Sequence, residues 1–220
     1  MKTYYYRHRP HFQPPGATLF VTFRLHGSLP KQVIQKFKSE YEALNKMKGK
    51  HLNIKGAKNN LHHFYNSKKQ LLERYDTFLH KNSNGPHYLK DNRIAQLVCD
   101  CLEFWSGKKY DLLAFCVMSN HVHVLFTPLE IKNGYYYPIA NIMHSIKSYT
   151  ANEANKILKR RGKPFWTHES FDHVCRSREE IERVAKYIIN NPVKAGIAKS
   201  AEDWNWSYHK YWQLNRRQSG

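Results

Sequence analysis

The sequence predicts an α+β sandwich in which helices pack on one face of an antiparallel sheet. Tyr110 to Val117 and His121 to Thr127 are apolar runs rich in β-branched and aromatic residues, joined only by Met118-Ser119-Asn120, which reads as strand, tight turn and strand. On both sides lie segments whose apolar residues recur at helical spacing. Helices alternating with an antiparallel strand pair fit a helical layer on a sheet. A length of 220 residues suits one core with appendages and is short for two full domains.

The elements follow in chain order. The opening YYYRHRPHFQPPG mixes aromatics, bases and prolines without periodicity, so residues 1–16 are expected to form an extended basic, aromatic arm. Thr18 to Leu25 is the first strand, bounded by Pro14, Pro15 and Gly16 before it and Gly27 and Pro30 after it. Val33, Ile34, Phe37, Tyr41 and Leu44 recur at helical spacing over Lys31 to Lys48, and Leu61 to Leu79 repeats the pattern, with a basic loop, Gly49 to Asn60, between them. Residues 31–90 are therefore expected to be a helical insertion in a domain spanning 17–198. Asp91 is a plausible N-cap for a helix carrying Ile94, Leu97, Val98, Cys101, Leu102 and Trp105, stopped at Gly107. Ile139 to Lys159 is a long helix, Phe171 to Cys175 a further strand, and Glu179 to Asn190 a helix stopped by Asn191-Pro192. Residues 199–220 form a basic, Trp-rich tail, read as a C-terminal helical extension.

Charge narrows the partners. Lys and Arg number 36 against 17 Asp and Glu, a formal net charge of +19, more than solubility requires, so a polyanion is the expected partner. Twelve of the bases fall in residues 1–60, where the acids are Glu40 and Glu42. Aromatics make up 14% of the chain, unlike a disordered basic tail, and aromatics beside bases suit stacking on single-stranded nucleic acid. The longest apolar run, Leu112 to Met118, is too short to cross a bilayer, and the N-terminus lacks a secretory apolar stretch. A cytoplasmic protein is expected. Cys99, Cys101, Cys116 and Cys175 show no CxxC spacing and are expected to be reduced core thiols rather than a zinc site.

His121-Val122-His123 lies within a strand, where side chains two apart project from the same face. Two same-face imidazoles are the nucleus of a divalent metal site, although such a pair also arises by chance among 14 histidines. In the next helix Tyr149 is followed one turn later by Glu153, with Asn152 on the adjacent spacing. A helix packed on the sheet could bring a tyrosine hydroxyl and an oxygen ligand to the histidines; equally, Tyr149 could be a core aromatic bonded through its hydroxyl.

These residues resemble a family. SNHVHVLF resembles the His-hydrophobic-His motif of single-tyrosine HUH transposases of the IS200-like superfamily, and HSIKSYTANEANKILKRRG resembles the helix that carries their nucleophile. FWTHESFDHVCRSREEIERVAKYIINNPVKAGI is similar to the downstream signature of the REP-associated tyrosine transposases. The resemblance runs from about Ala17 to Ala198. It implies a ferredoxin-like fold and a DNA transposase, associated with the nucleoid when bound, that acts on single-stranded DNA with imperfect palindromes. The tyrosine attacks a phosphodiester to form a 5′-phosphotyrosine link while a free 3′-OH departs. Carried over, His121 and His123 are metal ligands for Mg²⁺ or Mn²⁺ and Tyr149 is the nucleophile. Glu153 takes the third ligand slot, with Asn152 and Asn155 near enough to compete. The resemblance is compatible with a monomer or a homodimer.

A tyrosine hydroxyl with a reference pKa of about 10 needs nearby positive charge to act at neutral pH, and Lys147 is a candidate for it. Transesterification conserves the phosphoester bond energy, so no ATP is needed, and the chain has no GxxxxGK[ST] run. Tyr4, Tyr5, Tyr6, Arg7 and Arg9 of the arm, with Lys159, Arg160, Arg161 and Lys163, are the expected DNA contacts. Two further readings use the same residues: a non-catalytic hairpin-binding protein of the same fold, and a metal-dependent hydrolase that uses water.

Overall fold

A computed structural model describes residues 4–6, 10–51, 57–81 and 84–211. In chain order the elements are β1 (Tyr4–Tyr6), β2 (Pro10–Phe12), β3 (Leu19–Arg24), α1 (Lys31–His51), α2 (Ala57–Lys81), α3 (Asn92–Trp105), β4 (Tyr110–Val117), β5 (His121–Pro128), β6 (Glu130–Lys132), β7 (Tyr135–Tyr136), α4 (Ile139–Ile157), β8 (Phe171–Val174), α5 (Arg178–Ile189), α6 (Asn191–Lys194) and β9 (Ser207–His209). The chain divides into two compact units, one formed by Met1–His26 with His87–Gly220 and the other by Gly27–Pro86.

In the second unit, α1 and α2 form a helical hairpin. Phe37 of α1 meets Tyr75 and Phe78 of α2 edge to face at 5.1 and 5.5 Å, a geometry the ring quadrupoles favour. Arg74 pairs with Glu40 across the same seam.

The first unit is built on a five-stranded sheet, ordered β8-β3-β5-β4-β9, with every pair antiparallel. The two-residue period of the strands divides its side chains. Leu19, Val21 and Phe23 of β3, Val122, Val124 and Phe126 of β5, and Phe115 and Val117 of β4 share one core with Ile94, Val98 and Leu102 of α3 and Ile139, Ile142 and Ile146 of α4. Burying each large aliphatic or aromatic side chain contributes about 1.5–3 kcal/mol, so this layer is the main source of stability. Asp91 caps α3, its carboxylate accepting from the Arg93 N–H at 3.0 Å. Its hydrogen bonds with Arg93 hold that carboxyl below the ordinary range.

The antiparallel sheet with a helical layer is as expected; the other face differs. Phe20, Thr22 and Arg24 of β3 project there with His121, His123 and Leu125 of β5, and α5 covers them: Tyr187 meets Phe20 at 6.2 Å and His123 at 6.0 Å between ring centroids. Every residue of β3 is buried, and a strand buried on both sides needs cover on both. α5 supplies it at Phe20 through Tyr187, and Ala185, Ile188 and Ile189 of the same helix are buried.

Several short elements escaped the sequence reading. The linker from Pro128 to Pro138 holds the β6–β7 hairpin, turned by Asn133 and Gly134 at φ 48° and 78°, the left-handed pair that a two-residue turn of this kind requires. The start of the arm pairs with itself as β1 and β2; Arg7 and Arg9 lie outside the described residues. In the tail, β9 joins the sheet beside β4, with Tyr208 stacked on Phe115 at 5.6 Å; residues 199–209 are turns and this strand where a helical extension was expected, and 212–220 lie outside the described residues. All four cysteines are free and buried; burial pushes the Cys101 thiol up to about 11 and those of Cys116 and Cys175 up to about 12, so they are inert.

Candidate active site on the histidine face

His121 and His123 are fully buried, and their Nε2 atoms lie 3.1 Å apart. The outer ring nitrogens are both engaged. His121 Nδ1 donates to Asn120 Oδ1 at 2.7 Å, which leaves its Nε2 with a lone pair, and His123 Nδ1 bonds to Thr22 Oγ1 at 2.9 Å. Such outer bonds set ring orientation and tautomer in metal-binding histidines. Two nitrogens on one ion at about 2.1 Å, in octahedral or tetrahedral arrangement, lie about 3.0–3.4 Å apart. The pair therefore fits a divalent ion: with His123 Nδ1 donating to Thr22, both Nε2 atoms would offer a lone pair to one cation, and with the other tautomer the His123 Nε2–H donates to His121 Nε2 in its place. Arg24, the register partner of His121 on β3 and 7% exposed, brings a fixed cation to the same row.

The tyrosine brought to this pair is Tyr187 of α5. His123 lies between two aromatic rings, Phe20 at 5.7 Å and Tyr187 at 6.0 Å. Asn191 follows one turn after Tyr187, on the same helical face. It is fully buried, and neither its amide oxygen nor its amide nitrogen has a hydrogen-bond partner among the described residues. Two turns after Tyr187, Lys194 holds its ammonium 4.3 Å from the centre of the Tyr187 ring.

The near end of α5 is anchored to the sheet edge. Ser177 caps it by accepting from the Glu180 N–H. The Glu180 carboxylate is bonded to His173 Nε2 of β8 at 2.8 Å and accepts from the Arg176 N–H at 2.8 Å. Burial pushes the Glu180 carboxyl up, but these two hydrogen bonds outweigh it and hold the carboxyl below its ordinary value. Glu180, Tyr187, Asn191 and Lys194 thus form one stripe at positions i, i+7, i+11 and i+14, which lies over β8, β3 and β5.

The residues expected on α4 are placed elsewhere. The histidines occupy odd positions of β5 while α4 packs over the even ones, Val122 and Val124, so the sheet separates Tyr149 and Glu153 from the imidazoles. Tyr149 is 53% exposed, and Glu153 is paired with Lys156 at 2.6 Å. Asn152 is exposed, and Asn155 Nδ2 donates to the Lys163 carbonyl. Lys147 is occupied in tying α4 to the following segment, through the carbonyls of Thr167 and His168 and the Ser170 hydroxyl.

Arg161 and Lys163 are exposed. Arg160 stacks over Tyr88 at 4.5 Å, and Tyr88 stacks on Phe165. That cluster lies at the histidine end of the sheet, because the Phe165 carbonyl accepts from His26 and the Asn120 carbonyl from Leu25. Tyr187 and Asn191 repeat the spacing of Tyr149 and Glu153; the apolar set Ala185, Ile188 and Ile189 marks α5 as a second covering helix without saying which face of the sheet it meets.

Residues 87–191 match the family model described as transposase IS200-like. A Haemophilus influenzae protein named as a REP-associated tyrosine transposase is 26% identical over 134 residues, covering 56% of this chain and 76% of that protein. The solved structure of a REP-associated tyrosine transposase bound to a REP hairpin is similar in fold, with a TM-score of 0.51 at 15% identity, covering 92% of this chain and 82% of that one.

Proposed function

From the premise that residues 87–191 give this chain an IS200-like transposase domain, we propose that it is a DNA transposase that binds hairpin-forming single-stranded DNA and cleaves and rejoins it through a 5′-phosphotyrosine link, with Tyr187 as the nucleophile. The observation that carries this reading is the Tyr187 ring against His123, on the face where both imidazoles are aimed at one point. The role expected of Tyr149 passes to Tyr187 because α5, and not α4, covers that face.

The Tyr187 hydroxyl loses its proton, its oxygen bonds to phosphorus, and the bond from phosphorus to the 3′ oxygen breaks to leave a 3′-OH. A second 3′-OH reverses these events and joins a new strand. His121 and His123, with the Asn191 amide oxygen as the third donor in place of Glu153, would hold a Mg²⁺ or Mn²⁺ ion that polarises the scissile phosphate when bound. Arg160, Arg161 and Lys163 approach the phosphates from the same end of the sheet, and Tyr5, Arg7 and Arg9 of the arm add further contacts. Among the described residues no helix is long and apolar enough to cross a membrane.

The test is a denaturing gel of labelled single-stranded hairpins with Mg²⁺, Mn²⁺ or EDTA. A metal-dependent, protease-sensitive slow band is expected from the wild type and from Tyr149→Phe, and none from Tyr187→Phe. A band that survives in Tyr187→Phe and disappears in Tyr149→Phe returns the role to α4. Cleavage without a slow band favours water as the nucleophile.

A further inference from the structure

We propose that the guanidinium of Arg160 is a seat for one unpaired nucleobase of the DNA strand beside the histidines, and that Tyr88 holds the seat in place. The inference rests on the reading above for its choice of single-stranded DNA as the partner. It adds a face-on contact with a base to the phosphate contacts given to the same segment.

Arg160 is aimed by the way α4 ends. The Lys159 N–H donates to the Lys156 carbonyl at 3.1 Å and the Arg160 N–H to the Asn155 carbonyl at 2.9 Å, the paired bonds of a left-handed helix cap. Glycine commonly fills the left-handed position of such a cap; here it is Lys159, at φ 55°, a conformation that costs a residue with a Cβ more than it costs glycine. The chain then turns at once: the Lys163 N–H donates to the Arg160 carbonyl at 3.2 Å, with Gly162 at φ 76° in the third position, where such a turn requires glycine. Asn155 Nδ2 donates to the Lys163 carbonyl at 2.8 Å and ties the turn back to the helix. The three cations are thereby separated. Arg161 and Lys163 are exposed, whereas Arg160 is half-buried, with Nη2 donating to the Pro164 carbonyl at 3.0 Å and the guanidinium 4.5 Å from the centre of the Tyr88 ring.

What lies beneath Arg160 is rigid. Tyr88 stacks on Phe165 at 5.9 Å, and the buried Phe165 and Phe23 meet Trp166 edge to face at 4.9 and 4.8 Å. The helical turn Tyr88–Lys90 is bonded to the turn between β4 and β5: the Leu89 N–H donates to the Ser119 carbonyl at 3.2 Å, and His87 Nδ1 and Ser119 Oγ share a hydrogen bond at 2.9 Å. Ser119 lies two residues before His121, so the column stands at the histidine end of the sheet.

A guanidinium with one face on a ring can stack its other face on a second π system and keep an edge for phosphate. Within a duplex the faces of the bases are covered by their neighbours; an unpaired base has a face to offer, and stacking on it tolerates any sequence. The surroundings of Arg160 are open, since a Cβ added at Gly162 would meet no atom of the described residues within 4 Å. A phosphate contact alone would need neither the aromatic column nor a left-handed lysine, because Arg161 and Lys163 supply charge without either.

The test is a base-removal scan read as affinity. A DNA hairpin with mixed-sequence single-stranded flanks is made with an abasic site at each flank position in turn and, in a separate arm, at the foot of the stem. Binding to the full-length protein is measured by fluorescence anisotropy in EDTA, which keeps the strand uncleaved. In the wild type, removing the base at one flank position is expected to weaken binding about tenfold. Arg160→Ala should bind the intact hairpin about tenfold more weakly and lose nothing further at that position. Arg160→Lys keeps the charge but has no plane to stack, and should also be indifferent to that base. Tyr88→Phe should behave as wild type and Tyr88→Leu as Arg160→Lys; a Tyr88→Leu variant with the full base effect would remove Tyr88 from the seat. The proposal is overturned if no flank position matters in the wild type, if base removal costs Arg160→Ala as much as wild type, or if Arg160→Lys retains the full effect, which would make the contact one of charge. Coupling confined to the foot of the stem overturns it too, as does a wild type that does not bind the hairpin. Base coupling without a Tyr187 adduct in the denaturing gel counts against the transposase reading and leaves the seat standing; an adduct without base coupling does the reverse.

Discussion

α4 and α5 each carry a tyrosine with a polar residue one turn later, and each packs on the same sheet, but on opposite faces. α4 meets the sheet with Ile139, Ile142, Met143, Ile146 and Ala154, a largely apolar stripe, and leaves Tyr149 at the surface. Its buried polar residues are bonded, the Thr150 hydroxyl to the Ile146 carbonyl and Trp166 Nε1, and the Asn155 amide nitrogen to the Lys163 carbonyl. α5 and α6 meet it with a mixed stripe, in which Glu180 is paired with His173 and Asn191 is buried with its amide unpartnered among the described residues. A buried amide without partners costs about 1–3 kcal/mol. The first helix is built for stability. The second keeps polar groups where apolar ones would be more stable, which is what a site demands of its scaffold.

After the exchange of tyrosines, the largest effect expected is at the support of the histidines. Thr22→Val removes the hydroxyl that fixes His123 Nδ1 while keeping the shape of the side chain, and should weaken Mn²⁺ binding, measured by calorimetry, about 10–100-fold. An unchanged affinity would remove Thr22 from the site. Glu180→Gln comes next. The carboxylate's bonds to His173 and Arg176 are charge-assisted, so the variant should lose about 1.5–3 kcal/mol at pH 7. Because the folded-state pKa of Glu180 is depressed, that contribution is present above the ordinary glutamate value of 4.5 and is lost as pH falls through the folded value. Urea midpoints of wild type and variant should therefore converge below about pH 4.5; a constant gap down to pH 2.5 would refute the linkage. The smallest effect is expected on α4: Glu153→Ala removes a partly exposed pair with Lys156 and should change stability by less than about 0.5 kcal/mol and leave adduct formation unchanged.

Much of this comparison was legible in the sequence. The long strands and helices read close to their observed bounds because their apolar periods are strong, and the same-face placement of His121 and His123 followed from the period of a strand alone. What the sequence could not show was the helix opposite the histidines. Periodicity marks Ile146 and Thr150 as one face of α4 and Ala185 and Ile188 as one face of α5, yet neither pattern says which side of the sheet it meets. That depends on β3, whose buried Phe20 and Thr22 alternate with buried Leu19 and Val21, so the strand shows no contrast between an inner and an outer face. β9 and the β6–β7 hairpin escaped because two or three residues carry no period.

The bond between Thr22 and His123 joins residues 101 positions apart, and the whole second unit, Gly27–Pro86, lies within that loop. For folding, this means that the histidine row is completed only when β3 closes a long loop onto β5, a non-local and hence late event. The equilibrium cost is smaller than the length suggests. Closure entropy grows only with the logarithm of loop length, about 0.6 kcal/mol per doubling, so the inserted hairpin adds on the order of 1 kcal/mol. Lengthening or shortening α1 and α2 should therefore change how fast β3 docks far more than how firmly it is held.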